Sequence, residues 1–389
     1  MNNTEKFFIN LLSSHLNNTM PLMQGEIDFG KLYQLAGIND VMAITANELL
    51  KVKNSNKISA EILSKFRQQI GYTLIEFDKK EAVGNKIIEI FNQNNIDYLI
   101  VKGFVLKEYY HVKEYRTSGD IDFIVRKNDL NKCKKLIFGN GFKPEDNESS
   151  DYFGSFVYDK QHIEIHTDTD YDHPYFDNIF DLCTNDGNRY YLNDYEHLLY
   201  VLCHIAKHFN MYGAGIRMFM DIDVLIRHIK DFDYDGFIEK CKAIELDTFA
   251  KACFSLCRYW FNTPVLAEFD FEKQNNIRNL FEEEIIRGGS FGFEKRGLGS
   301  YYLNLANSGG QNKTALKIKA LFKLLFPNTR YLKGNFSYAY KHPILIPFAW
   351  LHRLFLAVFK RKKHSLNTIS EITKNNDDQY QKLLKELHI

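Results

Sequence analysis

Apolar residues recur at helical spacing through residues 1–80. Phe7 and Leu11 belong to a set that repeats every three or four positions and so marks one face of a helix. A longer amphipathic helix is predicted over 59–77, with Ser59 as its N-cap and with a pattern that allows it to continue through Ala82. A separate helix is predicted over 86–94, where isoleucine and phenylalanine form the buried side. The pattern therefore predicts an N-terminal helical region over 1–80.

Short apolar runs replace the helical pattern within residues 81–190. The runs at 96–101 and 120–125 have continuous apolar stretches, which are typical of strands buried on both faces. Two further strands are predicted at 153–158 and 162–166, joined by a polar turn. We therefore predict an α/β core over 81–190.

Helical spacing returns at Asp194, which is a suitable N-cap for a helix with Leu198 and Leu202 on its apolar face. Further helical stretches predict a helical domain over 191–330 and a C-terminal helical and basic tail over 331–389. The whole pattern predicts an α+β protein with a small mixed sheet, flanked by N-terminal helices and a helical C-terminal domain.

The tail contains an apolar stretch at 343–359, directly followed by Lys360-Arg361-Lys362-Lys363. The stretch is short for a membrane span. Two interpretations fit it. The helix docks on the core, with basic residues favoured at its C-terminal end, or residues 343–363 contact a membrane surface weakly.

Composition narrows the class of protein. The 389 residues include 45% hydrophobic and 15% aromatic residues, enough to build a large core, and a net charge of +1 gives no global basic field. There is thus no strong nucleic-acid signal. The six cysteines lack the spacing of a disulfide framework, and the N-terminus lacks a signal-peptide pattern. Both features predict a cytoplasmic protein with reduced thiols.

Asp120 and Asp122 are the most informative pair in the chain. They are two positions apart at the start of the run at 120–125, so their side chains are expected on one face of a strand. Adjacent carboxylates are costly unless a cation lies between them, and Mg²⁺ is commonly held by carboxylates together with substrate phosphates. Solvated acids at the start of an ordinary strand are the simpler alternative.

Other residues extend this candidate site. Lys102-Gly103 ends the strand at 96–101, and a glycine before a helix lets a phosphate approach the backbone. Lys102 contacts phosphate or lies at the surface, and Arg116 binds phosphate or pairs with an acid. Glu164 is the best candidate for a third carboxylate. The acids Asp168, Asp170 and Asp172 form either an acidic mouth for the site or a solvated loop.

This order of elements resembles the nucleotidyltransferase superfamily typified by DNA polymerase β. The closer likeness is to the uncharacterised bacterial nucleotidyltransferase family, and it extends over about residues 80–230. The motifs that carry the likeness are Lys102-Gly103, Tyr109-Tyr110, Arg116, Gly119-Asp120-Ile121-Asp122-Phe123-Ile124-Val125, Glu164-Ile165-His166, His204, Lys207-His208 and Asp221.

The resemblance implies a polymerase β-like core that moves a nucleoside monophosphate from an NTP to an acceptor hydroxyl and releases pyrophosphate. It implies Asp120, Asp122 and Glu164 as catalytic residues and metal ligands for two Mg²⁺ ions, with Mn²⁺ as the alternative. It also implies nucleotide binding by four residues: Lys102, Gly103, Arg116 and Gly119. The acceptor is a small molecule, a sugar, a protein or an RNA end.

Two positions depart from the superfamily pattern. Phe104 stands where a serine or glycine usually follows the first glycine, and Glu164 stands where aspartate is frequent. These departures keep a second hypothesis open, that of a catalytically inactive nucleotide-binding or scaffold protein of the same fold. A membrane-associated component of polysaccharide assembly is compatible with either hypothesis.

Overall fold

The structure is a computed structural model of the 389-residue chain. The residues that it describes are 1–52, 58–145, 153–169, 171, 173–266, 269–271, 277–292, 299, 302–303, 306, 313–327, 332, 336, 338–339, 342–359, 362–374 and 378–389. Asp170 and Asp172 of the acidic segment, and Lys360 and Arg361 of the basic run, lie outside these ranges.

A seven-stranded mixed sheet forms the centre of the α/β core, with the strand order β3-β4-β5-β2-β1-β7-β6. Strand β2 lies antiparallel to β1 and parallel to β5, so the two acidic segments are direct neighbours. The strands are β1 (Tyr98–Val101), β2 (Asp120–Val125), β3 (Lys143–Pro144), β4 (Phe153–Tyr158), β5 (Gln161–His166), β6 (Cys183–Asp186) and β7 (Arg189–Leu192).

Helices precede the strands along the chain, lie between some of them and follow the last one. They are α1 (Asn3–Asn17), α2 (Phe29–Ile38), α3 (Met42–Leu50), α4 (Ala60–Gln93), α5 (Gly103–Leu106), α6 (Leu130–Gly139), α7 (Asp194–Met211), α8 (Ile216–His228), α9 (Tyr234–Lys242), α10 (Asp247–Phe261), α11 (Arg278–Gly288), α12 (Lys313–Leu325), α13 (Ile346–Phe359), α14 (Lys362–Lys374) and α15 (Asp378–Leu387).

Helix α4 corrects the sequence prediction, because one helix of 34 residues replaces the two expected over 59–77 and 86–94. Ser59 is its N-cap, as predicted, and accepts a hydrogen bond from the backbone of Ile62. The helix continues through Gly84. Glycine is required there because the Phe104 ring occupies the space that a side chain would need. The C-terminal half of α4 is thus fastened to the sheet.

The two faces of the sheet have different coverings. Alternate residues of β2 and β5, such as Phe123 and Ile165, pack against α4 and α6 in one buried cluster. On the opposite face Ile124 packs with Leu99 of β1 and Tyr200 of α7. Asp122 and Glu164 occupy this second face, because side chains alternate along a strand. The carboxylates therefore lie on the side of the sheet that α7 covers.

The largest apolar core lies outside the sheet. Helices α1, α2 and α3 share it with α7 to α11 and with α15, so both ends of the chain meet in one cluster. Buried phenylalanines such as Phe8, Phe209 and Phe219 each stabilise it by roughly 1.5–3 kcal/mol. The four domain ranges drawn from the sequence remain a prediction. The expected helix after Gly103 is a single α-turn, followed by a 3₁₀ turn at Lys107–Tyr109.

Candidate active site

The register of β2 and β5 brings two acidic residues together. Asp122 is the direct partner of Glu164 in the parallel pair, and Asp120 is the partner of His162. Partners in neighbouring strands project from the same face, so Asp122 and Glu164 stand side by side. The period of two in Asp120-Ile121-Asp122 places Asp120 on that face as well.

A candidate metal-binding group follows from this register. One oxygen each of Asp122 and Glu164 and a nitrogen of His166 all lie within 4.8 Å of one another. Nε2 of His166 is 3.0 Å from Oε2 of Glu164 and 3.3 Å from Oδ1 of Asp122. Asp120 is outside this group in the described part of the chain, so its role as a metal ligand remains a prediction. Burial, and then the charge of Asp122, raise the pKa of Asp120.

Lys102 occupies the other side of Asp122. Its Nζ lies 2.6 Å from Oδ1 of Asp122, and the pair is almost fully buried. The backbone of Lys102 has φ of 56° and ψ of −138°, a conformation that is costly for a residue with a side chain. In this structure the ammonium therefore neutralises a carboxylate, whereas its predicted contact with phosphate stays a prediction.

The second oxygen of Asp122 supports a cation site. Oδ2 is buried and has no hydrogen-bond partner among the described residues, which is costly for a carboxylate oxygen. A bound cation would satisfy it. Two carboxylates and an imidazole suit Mn²⁺ as well as Mg²⁺, since Mg²⁺ prefers oxygen ligands and imidazole suits transition metals. The residues present therefore fit a divalent cation.

A buried ion pair supports the loop before β2. The Arg116 guanidinium donates to both carboxylate oxygens of Asp221, at 3.1 and 2.6 Å, and Tyr110 donates to the same carboxylate at 2.8 Å. Arg116 thus pairs with an acid, one of the two arrangements expected. A Cβ at Gly103 would collide with Nη1 of Arg116 and with Ser118, so only glycine fits there.

Lys80 is a site neighbour that sequence reasoning missed. It donates from α4 to the backbone oxygens of Ser118 and Gly119, the two residues that precede Asp120. Burial lowers its pKa to about 8, although the charge of Asp120 opposes this effect. Within the sequence Lys80 is one polar residue of an amphipathic helix, 38 positions from Ser118, so no local signal could have identified it.

Two cavities share the wall formed by Arg116, Ser118 and Gly119. The smaller one, of about 60 Å³, lies between the sheet and helices α7 and α8. Its lining includes Lys102, Gly103, Asp120, His204, Arg217 and Asp221. The larger one, of about 270 Å³, lies beside α4, and its lining includes Tyr72, Phe77, Lys80, Phe104, Lys107 and Gln161.

Comparison with known proteins decides the family. The sequence profile described as "Uncharacterised nucleotidyltransferase" matches residues 25–262, well over half of the chain. The chain belongs to this nucleotidyltransferase family. Comparisons with curated proteins and with solved structures find no match. Membership confirms the resemblance seen in the motifs around Asp120 and the α+β fold with its mixed sheet.

The structure of this family member explains the departure at Phe104. The ring packs against Gly84 of α4 in the buried apolar cluster and also lines the larger cavity. In the superfamily a serine hydroxyl often follows this glycine. Here the Ser118 side chain lies directly against Gly103 and supplies a hydroxyl at a nearby position. His204 and Asp221, which the family order singles out, both line the smaller cavity.

Proposed function

We propose that this protein is a divalent-metal-dependent nucleotidyltransferase that moves a nucleoside monophosphate from an NTP to a hydroxyl-bearing acceptor. The observation that carries the proposal is the register that aligns Asp122 with Glu164, with His166 within ligand distance of both. Membership of a nucleotidyltransferase family supports the reaction class. The metal, the nucleotide and the acceptor belong to the proposal.

In this proposal Asp122, Glu164 and His166 hold the cation, and Asp120 completes the set when substrate is present. The cation, when bound, neutralises phosphate charge and lowers the pKa of an oxygen that it touches. Two ions, Mg²⁺ or Mn²⁺, are expected from the resemblance. Asp122 is the structural ligand, because its side chain is 1% exposed, whereas Glu164 is 27% exposed and can meet an acceptor.

The bond changes are those of a simple displacement. The acceptor oxygen forms a bond to the α-phosphorus, and the bond from that phosphorus to the bridging oxygen breaks. Pyrophosphate leaves with the electron pair. Glu164, at the exposed side of the group, accepts the proton of the acceptor hydroxyl.

One phosphate group of the NTP is assigned to the smaller cavity, which has a volume of about 60 Å³. Lys102, Gly103, Arg116 and Gly119 line it, as do Arg217 and Asp120. Arg217 supports an anionic occupant, because its Nε is buried and has no hydrogen-bond partner among the described residues. Burial, and then the charge of Arg116, lower the pKa of Arg217. A negatively charged phosphate would accept a hydrogen bond from Nε and would raise the pKa of Arg217.

The acceptor is assigned to the larger cavity. Its volume of about 270 Å³ is sufficient for a sugar-sized or small aromatic molecule, and its walls combine aromatic rings with lysines. It shares Ser118 and Gly119 with the smaller cavity, so the two ligands would meet next to the start of β2. This placement supports a small-molecule or sugar acceptor.

Labelling with each α-labelled NTP in a cell extract, with Mg²⁺ or Mn²⁺, tests the proposed reaction. We expect one acceptor class to become labelled by the wild type and by Asp186→Asn, which changes an exposed acid of β6. Asp122→Asn should reduce labelling by at least about a thousandfold, since it removes a buried charge at the cation. Nucleotide binding without any labelling would favour the scaffold hypothesis instead.

A further inference from the structure

One segment of this chain has a large net positive charge. Residues 295–370 contain 14 lysines and arginines and not one aspartate or glutamate, although the whole chain has 50 basic and 49 acidic residues. The remainder of the chain therefore has a net charge of −13. A near-neutral total conceals a strongly basic segment of 76 residues.

Part of this charge lies on α12. Lys313, Lys317, Lys319 and Lys323 all lie on that helix. Burial, and then the neighbouring charge of Lys319, lower the pKa of Lys323. Lys317 donates to the backbone of Thr373 on α14, and Arg353 of α13 donates to the backbone of Leu324, so α12 contacts both later helices.

Helix α13 presents a second apolar face outward. Phe348, Leu351, Phe355 and Phe359 follow one another at intervals of three or four, and each is more than half exposed. The opposite side of the helix packs around Ala349 in a small cluster with Leu332 and Phe336. On α12, Ile318 and Phe322 are also more than half exposed. One face of α13 thus packs on neighbouring residues of the C-terminal tail, so docking of this helix on the core stays a prediction, and the other face is exposed.

We propose that this basic and apolar surface, formed by α12 and α13, docks on an anionic lipid bilayer. Exposed phenylalanine and leucine on a helix within a basic segment are features of a helix that lies in a membrane interface. The acid-free segment supplies charge complementarity to anionic headgroups, and it would repel a second copy of itself. No helix within the described ranges combines the length and apolar character that crossing a bilayer needs.

RNA is the other polyanion that a basic segment could bind, but the apolar stripe disfavours it. Lysine and arginine neutralise a phosphate backbone, and unpaired bases stack on aromatic rings, but neither contact buries the aliphatic side chains of Ile318 and Leu351. Anchoring on a bilayer uses the cations and the stripe together. Bilayer docking does not depend on nucleotidyl transfer, so an experiment can refute one of these two proposals and leave the other intact.

Sedimentation of the full chain with vesicles tests the proposal. Vesicles of phosphatidylcholine are compared with vesicles containing about one third phosphatidylglycerol, at low and high salt. Phe348→Ser/Phe355→Ser/Phe359→Ser replaces three of the four apolar residues on the exposed face of α13 (the stripe variant). The matched control is Ile75→Ser/Phe138→Ser/Leu266→Ser, which changes three equally exposed apolar residues elsewhere. Circular dichroism verifies that each variant is folded.

We expect binding to the anionic vesicles only, weakened by salt. The stripe variant should lose at least about tenfold in binding, and the control should stay within about twofold of wild type. No binding to anionic vesicles at low salt would overturn the proposal, as would equal losses in the two triple variants. Tight binding of a single-stranded RNA, with no binding to either kind of vesicle, would assign the surface to RNA.

Discussion

The Lys102 ammonium lies 2.6 Å from Oδ1 of Asp122, and Asp122 is one of the three residues that could hold a cation. The backbone of Lys102 is held at φ 56° to reach this position. A cation and this ammonium compete for one carboxylate, because both neutralise the same negative charge. If a metal binds to both oxygens of Asp122, we therefore expect the Lys102 side chain to move toward the smaller cavity, which it lines.

Replacing this lysine should strengthen metal binding. In Lys102→Met the apo protein loses the partner of a buried carboxylate, so it should unfold at a lower temperature than wild type. Mn²⁺ or Mg²⁺ should then raise the melting temperature more than in wild type. Thermal unfolding over a metal titration measures this difference.

Lys107→Met is the matched control, since Lys107 is also buried and paired with an acid, Glu81, but lies outside the cation group. Its response to metal should equal that of wild type. An unchanged or smaller metal response in Lys102→Met would contradict the competition.

His166 is expected to select the ion. His166→Asn should weaken Mn²⁺ binding by about tenfold or more and Mg²⁺ binding by less, because imidazole favours transition metals. Isothermal titration calorimetry with each ion measures both affinities. His162→Asn, an exposed neighbour on the same strand, should leave both unchanged. Equal losses for the two ions in His166→Asn would contradict the selection, and no loss for either ion would show that the imidazole is not a ligand.

The ion pair of Arg116 and Asp221 is expected to be important for stability. Among the described residues, Arg116→Met leaves the buried Asp221 carboxylate with the Tyr110 hydroxyl as its one hydrogen-bond donor, and it should lower the free energy of unfolding by about 3–5 kcal/mol. Arg116→Met/Asp221→Leu should recover a large part of that loss. Arg126→Met, which breaks a partly exposed pair with Asp97, should cost about 1 kcal/mol or less. Urea denaturation measures all three, and equal losses at Arg116 and Arg126 would contradict the burial argument.

His197 should make stability fall in mild acid. Burial lowers the pKa of His197 to about 4, against 6.5 for the unfolded chain. Below pH 6.5 the unfolded chain binds a proton that the folded chain excludes. The contribution is complete above pH 6.5 and is lost as the pH falls toward 4, up to about 3 kcal/mol. The pH dependence of unfolding in wild type and His197→Phe measures it, and parallel curves would refute the assignment.

The arrangement of strands was predictable in part. The apolar runs at 96–101 and 120–125 are strands in the structure, with ends shifted by up to two residues. The period of two correctly placed Asp120 and Asp122 on one face. Nothing local specified that β2 and β5 are neighbours, because strand pairing depends on chain segments that are about 40 positions apart.

The two lysines of the site show the same limit. The position of Lys102 after a strand predicts a phosphate contact or a surface lysine, whereas in the structure its side chain contacts Asp122, and the phosphate contact stays a prediction. Lys80 had no local signal at all, and its contacts with Ser118 and Gly119 depend on α4 continuing unbroken beside the sheet. Long polar side chains reach several ångströms, so their partners are decided by packing and not by neighbouring residues.

The sequence alone determined the α+β class, the nucleotidyltransferase family and the strand that carries Asp120 and Asp122, because periodicity and short motifs are local properties. The tertiary structure decided which groups converge: the parallel register aligns Glu164 with Asp122, brings His166 beside both, and leaves Asp120 at the margin. The physical reason is that distances between side chains on different strands follow from hydrogen-bonded register and core packing, which involve the whole fold.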